Sequence, residues 1–256
     1  MAGVIVLTSS SVLMILLLIH LFETCVANCP PSSCGVFHNI SYPFRLKDDP
    51  KHCGERRAEL ACEKNVTFFY LNSHKYYVKA ISNHSQELPE FDFPTIRVVD
   101  ASIKINDTCS FPTYSLYPGS FSTDDYYIQF GDSWPIYFMS CPQALKINSS
   151  VLNLVETTHD CASSNSSSHS HPRFTYIRVG GSMKVSDLTD MCTVDMIVMA
   201  SMSWETYLFE NVSVSLSDIH DSLLNGFELM FCRGCKTTNW GKNGSYIYIC
   251  VKFALN

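Results

Sequence analysis

The sequence predicts a mostly β, disulfide-rich fold, arranged as two small β-rich domains with one or two short helices. Three observations carry this expectation. Short runs rich in Val, Ile, Tyr and Phe are separated by Pro, Gly, Asn and Asp, as strands and their turns require. Twelve cysteines are spread along 256 residues, a usage that suits an oxidising compartment. Helix start and stop signals flank an apolar face in one stretch near the C-terminal end.

Residues 1–27 read as a secretory signal. Val4 to Phe22 is an apolar run broken only by Thr8 to Ser11 and by His20, and Cys25-Val26-Ala27 sets cleavage after Ala27. The run is just long enough to span a membrane, which keeps an uncleaved signal anchor as the competing reading, and the absence of Lys or Arg ahead of it weakens the signal pattern. No later run approaches the roughly 18 apolar residues of a membrane helix. The best, Met196 to Met202, is far too short, so no membrane span is expected after the signal.

Residues 28–156 form the first expected domain. Its strands are Val66 to Leu71, Tyr76 to Ile81, Ile96 to Val99 and Tyr126 to Phe130. Residues 157–172, TTHDCASSNSSSHSHP, are Ser-rich and nearly free of large apolar groups, so they read as a linker or long exposed loop. Residues 173–256 form the second domain. Phe174 to Val179 reads as a strand ending at Gly180-Gly181. Ser217 to Asn225 reads as a helix, with Ser217 as N-cap, Ile219, Leu223 and Leu224 on one face, and Gly226 past its end. Phe227 to Phe231 and Tyr246 to Val251 complete the strands.

Several function classes are excluded or weakened. A net charge of −6 removes the electrostatic footprint of a nucleic-acid binder. There is no Gly-x-Ser-x-Gly elbow, no phosphate loop, no His-Glu-x-x-His and no dinucleotide fingerprint, so no enzyme activity and no cofactor are expected. The Asp124-Asp125 doublet would point to opposite faces of a strand and reads as a solvated loop. His159, His169 and His171 sit where nothing fixes their geometry, so no metal site is expected there. Cys232-Arg233-Gly234-Cys235 follows a β-like stretch rather than opening a helix, which favours structural disulfides over redox chemistry. A mixed run over residues 45–64 holds Arg45, Lys47, Lys51, Arg56, Arg57 and Lys64 among Asp48, Asp49, Glu55, Glu59 and Glu63, a local balance of +1.

From Cys29 onward an ordered pattern appears. Cys29-Pro-Pro-Ser-Ser-Cys34-Gly35 is followed by Asn39-Ile-Ser-Tyr-Pro-Phe44, Cys53-Gly54, Leu60-Ala-Cys62, Tyr77-Val-Lys-Ala-Ile81, Arg97-Val-Val-Asp100, and Cys109 leading to Cys141. It resembles the galacturonan-binding domain of plant wall-associated receptor kinases, and the ectodomain of the leaf-rust-resistance type of receptor-like kinase in particular. Residues 173–256 resemble the Cys-rich wall-associated-kinase C-terminal domain, through Leu224-x-Gly226-Phe227-x-Leu229, Cys232-x-x-Cys235 and Cys250. The interval from Lys236 to Ile249 lacks the further Cys usual in that family.

The resemblance implies a secreted ectodomain in the cell wall or at the outer face of the plasma membrane. It would be a truncated or spliced receptor or a free secreted relative, and would bind pectin. A receptor-type module for a peptide or protein ligand is the alternative. A galacturonan reader needs cationic forks and sugar-stacking rings. Arg45, Arg56, Arg57 and Lys51 are the ligand-binding candidates, with Tyr42, Phe44, Phe68, Phe69 and Tyr70 beside them. Eight Asn-x-Ser/Thr acceptors, Asn39, Asn65, Asn83, Asn106, Asn148, Asn165, Asn211 and Asn243, predict a glycosylated surface. The eleven cysteines after the signal are disulfide candidates: Cys29, Cys34, Cys53, Cys62, Cys109, Cys141, Cys161, Cys192, Cys232, Cys235 and Cys250. Cys109 is expected to pair with Cys141, and one of Cys232, Cys235 and Cys250 to be the odd thiol.

Overall fold

The computed structural model describes residues 29–82, 94–116, 127–128, 133–145, 154–161, 173–180, 191–201, 214–231, 236–238 and 247–249, the segments 127–128, 236–238 and 247–249 by backbone alone. The expected signal, Asp124-Asp125, His169, His171 and the cysteines at 25, 232, 235 and 250 lie outside these residues.

The fold is mostly β. In chain order the strands are β1 (Ser32–Cys34), β2 (Phe37–Ile40), β3 (Arg45–Leu46), β4 (Glu59–Glu63), β5 (Val66–Leu71), β6 (His74–Ser82), β7 (Thr95–Asp100), β8 (Tyr127–Ile128), β9 (Ser133–Cys141), β10 (Leu154–Glu156), β11 (Phe174–Val179) and β12 (Thr193–Ser201). Helix α1 (Leu216–Asn225) is followed by β13 (Phe227–Met230), β14 (Lys236–Thr238) and β15 (Ile247–Ile249). A seven-stranded sheet runs β3-β4-β5-β6-β7-β13-β8, and a four-stranded sheet runs β10-β11-β9-β12.

Local chemistry fixes the hairpins of the larger sheet. Glu63 pairs with Val66 and Leu71 with His74, leaving two-residue turns at Lys64-Asn65 and Asn72-Ser73. All four turn residues have positive φ, the backbone whose twist matches that of the flanking strands and which Asn tolerates best. On β5 the side chains then alternate. Thr67, Phe69 and Leu71 go to the core, while Val66 and Tyr70 are exposed on the other face.

Both larger sheets combine strands that precede the Ser-rich stretch in the sequence with strands that follow it. From its far side, β13 adds to β7 with Phe227 opposite Val98, and β11 and β12 flank β9. Within that stretch, residues 157–161 are tied down. Thr157 is buried, its amide bonds the Thr175 carbonyl, and Cys161 is bridged to Cys109. One core lies against the larger sheet (Ile40, Phe44, Leu60, Phe69, Tyr76, Val98, Leu229, Phe231), with Phe231 edge-on to Phe44. The other joins β9, β11 and β12 to α1 through Ile136, Ile177, Val198, Ile219 and Leu223.

Four disulfides join Cys29–Cys53, Cys34–Cys62, Cys109–Cys161 and Cys141–Cys192. The expected Cys109–Cys141 pair is therefore corrected. Cys141 ends β9 and faces Cys192, one register step beyond the Ser140–Thr193 pair, so its sulfur partner is the residue just before β12 rather than Cys109 of the 101–116 loop. The helix cap lies two residues earlier than expected. Ser215, not Ser217, is the N-cap, because Asp218 at the third helical position completes a reciprocal capping box with it. Gly226 ends the helix at φ 76°, as expected, and an added Cβ there would lie 2.1 Å from the Val98 carbonyl oxygen. Among the described residues, no helix is long and apolar enough to cross a membrane.

Candidate functional site

The predicted cations do not share one environment. Arg45 sits on the edge strand β3 and is only 4% exposed. Its guanidinium pairs with the Glu59 carboxylate and donates to the carbonyls of Leu46 and Asp49 at 3.3 and 3.4 Å. Asp49 in turn accepts from the Leu46 amide at 2.7 Å and from Ser32 Oγ at 2.7 Å. Gly54 lets the neighbouring turn close over this arginine, since a Cβ there would meet Arg45 Cβ at 2.7 Å. Arg45 thus ties the 46–54 loop to the sheet and offers no fork to solvent.

Lys51 and Arg56 are exposed on two single-turn 3-10 segments, Lys51–Cys53 and Arg56–Ala58. The Cys29–Cys53 bridge fixes the first of these. Arg57 is half-buried, with its Nε 3.4 Å from a Glu55 carboxylate oxygen. The Tyr42 hydroxyl donates to the other Glu55 oxygen at 2.9 Å. The Glu55 amide donates to the Pro43 carbonyl at 2.8 Å, which holds the two loops edge to edge. Tyr42 keeps 59% of its surface exposed. The loops therefore present one open aromatic ring, a restrained arginine, and two free-standing cations on a ledge stapled by a disulfide.

The other aromatic candidates divide sharply. Phe44 and Phe69 are core residues, both edge-on to Phe231. Phe68 and Tyr70 lie on the outer face of the sheet with Tyr77 and Lys75 of β6, because Phe68 pairs with Tyr77 and Tyr70 with Lys75. The Lys75 ammonium rests 3.8 Å from the Phe68 ring centroid and 2.5 Å from a Glu63 oxygen, and the Tyr70 hydroxyl donates to Glu63 at 2.6 Å. Hydrogen bonds from Lys75 and then Tyr70 hold the Glu63 carboxyl below its usual range, and the same carboxylate raises both partners. Sequence reasoning missed Lys75 and Tyr77. The two-residue turn at Asn72-Ser73 was the signal that sets them beside Tyr70 and Phe68.

Cys29, His52 and Cys53 lie within 4.8 Å of one another, but their sulfurs are joined in a disulfide and supply no thiolate to a metal. His159 is exposed, 3.9 Å from Glu156. Asn39, Asn65 and Asn106 are exposed acceptors, and the other five lie outside the described residues.

Residues 29–100 match the family model of the wall-associated receptor kinase galacturonan-binding domain. The galacturonan-binding-type segment ends with β7, and so contains Arg45, Lys51, Arg56, Arg57, Tyr42 and the Lys75–Glu63 cluster. No match was found among curated proteins or solved structures. The match is to a binding module of an extracellular receptor type, and the disulfide framework agrees with that location.

Proposed function

We propose that the chain is a secreted, glycosylated polysaccharide-binding ectodomain of plant receptor-like-kinase type, and that it binds de-esterified galacturonan of pectin. The observation that carries this reading is the match of residues 29–100 to the galacturonan-binding family. The part from residue 173 onward serves as the Cys-rich C-terminal module of the same receptor class.

The contact surface is the ledge of Tyr42, Lys51, Arg56 and Arg57. Tyr42 stacks on a sugar ring, and the cations meet the carboxylates that each galacturonate carries. Arg45 supports the ledge from beneath. The whole chain carries −6, so attraction is local and fades as salt shortens the Debye length to about 10 Å near 0.1 M.

The test is binding of the secreted full chain to polygalacturonate and to fully methylated pectin across a salt series. Lys51→Glu with Arg56→Glu should weaken polygalacturonate binding roughly tenfold, since exposed ion pairs contribute up to about 1 kcal/mol each and reversal adds repulsion. Equal affinity for methylated pectin, or indifference to both reversals and salt, refutes the reading.

A further inference from the structure

Asn65 opens an Asn-x-Thr acceptor and is the second residue of the tight turn between β4 and β5. Its backbone is left-handed, at φ 63°. Its Oδ1 accepts from the Gly35 amide at 3.0 Å, which docks the turn on the β1–β2 hairpin. Thr67 completes the acceptor two residues on, with its side chain turned into the sheet interior by strand alternation. It is 4% exposed, and its Oγ1 donates to the Cys34 carbonyl at 3.0 Å. Cys62 stands directly opposite Thr67 in the β4–β5 ladder and is bridged to Cys34. One covalent link therefore holds both the strand residue that faces Thr67 and the residue that takes its hydroxyl.

Attaching an N-glycan requires one enzyme pocket to grip the Asn amide together with the hydroxyl two residues later. In the transfer, the amide nitrogen bonds to the anomeric carbon of an oligosaccharide carried on a lipid diphosphate. The bond from that carbon to the diphosphate breaks, the diphosphate leaves with the electron pair, and the amide gives up one proton. The folded chain keeps the two gripped groups apart, with Asn65 exposed at the turn and Thr67 sealed beneath it. The product nevertheless fits the fold. A glycan on Nδ2 leaves Oδ1 to accept from Gly35, and the turn lies open to solvent beside the exposed Val36 and Val66. Asn106 is the contrast, because Asn106 and Thr108 are both exposed on the 101–116 loop.

We propose that Asn65 is a fold-gated N-glycosylation site. It takes its glycan only before the β4–β5 hairpin and the Cys34–Cys62 bridge have closed, whereas Asn106 stays open to transfer in the folded chain. The proposal rests on the reading of the chain as a secreted glycoprotein and adds an order of events to it. Transfer at Asn65 and closure of the bridge compete for the same stretch of chain. Closure withdraws Thr67, so the outcome at Asn65 is fixed once the bridge has formed, and the finished fold accepts the glycosylated residue but not its glycosylation.

The experiment supplies the full chain, made free of glycans and with its bridges mapped, to an oligosaccharyltransferase and a lipid-diphosphate-linked oligosaccharide. The same chain, reduced and alkylated, is run in parallel, and peptide mass mapping reads each acceptor over time. Both Asn65 and Asn106 are expected to be modified in the unfolded chain. In the folded chain the rate at Asn65 relative to Asn106 should fall at least about tenfold, because exposing Thr67 breaks no fewer than two hydrogen bonds. Cys34→Ala with Cys62→Ala should raise the Asn65 rate severalfold and leave Asn106 unchanged; if that pair fails to fold, the wild-type comparison decides alone. An Asn65 to Asn106 ratio equal in folded and unfolded chains overturns the proposal. So does an unfolded chain modified at Asn106 but never at Asn65, or a folded chain closed at both. Failure of every acceptor in the unfolded chain would instead refute the glycoprotein reading, and the proposal with it.

Discussion

Replacing Cys141 and Cys192 together by alanine is the most informative perturbation of the fold. The bridge ties the end of β9 to the residue before β12, with Cα atoms 4.2 Å apart and a sequence separation of 51. The closed loop contains β10, β11 and the Ser-rich stretch. In the chain-entropy treatment, opening a loop of that size costs about 4 kcal/mol at 25 °C, most of it by freeing the unfolded chain. Cys141 is also fully buried, so truncation adds a packing loss on the order of 1 kcal/mol. Domains have only about 5–15 kcal/mol in total, so the variant should sit near the edge of unfolding. Guanidinium unfolding of wild type and variant, followed by circular dichroism and by tryptophan fluorescence, gives the difference directly. A loss below about 1.5 kcal/mol would show that the bridge does not close this loop. Peptide mapping that recovered a Cys109–Cys141 bridge would refute the pairing outright.

Three further outcomes follow from the same structure. Gly226→Ala forces a Cβ to within 2.1 Å of the Val98 carbonyl oxygen at φ 76°, and should cost at least about 2 kcal/mol from the left-handed backbone and the clash together, read by thermal unfolding. Ser215→Ala removes the helix cap at a cost of about 1 kcal/mol. The Asp218 carboxyl is held below its usual value by hydrogen bonds from the Ser215 side chain and then its backbone, so its contribution is complete above the unfolded pKa and fades as pH falls through the lower folded value. Ser215→Ala should therefore flatten the acid limb of a stability–pH curve, and an unchanged limb would contradict the capping geometry. Arg45→Gln should destabilise by about 2 kcal/mol, less than a fully buried pair because Glu59 is a third exposed, while leaving polygalacturonate affinity of the folded protein intact. A selective loss of affinity in that variant would return Arg45 to the binding surface.

What the sequence revealed was what local chemistry decides. Val66–Leu71 and Phe174–Val179 emerge with their expected ends, because turn residues and Gly180 bound them. The helix was legible from Ile219, Leu223 and Gly226, but its cap was misplaced, since Ser215 and Ser217 look alike until Asp218 is counted three residues after the former. Strands β9 and β12 went unnamed. β9 carries Pro135 near its start, where the Pro135 carbonyl still accepts from the Gly180 amide, and β12 mixes Asp195 into an apolar run. Their partners lie across the Ser-rich stretch, and pairing at that distance leaves no trace in spacing. The same limit applied to the cysteines. In the candidate site, the cationic cluster was visible, but charge alone does not separate Arg45, sealed under Gly54, from Arg56 in solvent.

The topology makes a last prediction about the galacturonan-binding-type segment taken by itself. Residues 29–100 supply β1 to β7, but β13 lies next to β7 in the sheet. Cutting the chain after residue 100 exposes the whole β7 edge, an unpaired strand that invites aggregation. The core against that sheet also loses Leu116, Met199, Phe227, Leu229 and Phe231. At about 1.5–3 kcal/mol per buried side chain, their removal is comparable to the entire stability of a domain. Both disulfides within the segment, Cys29–Cys53 and Cys34–Cys62, staple its other end and do not substitute for β13. Expressed alone, residues 29–100 should therefore be aggregation-prone and lack a cooperative unfolding transition, whereas a chain extended through Phe231 should recover one. A monomeric 29–100 fragment with a sharp melt and full polygalacturonate binding would show that β13 is an accessory to this sheet rather than part of its core.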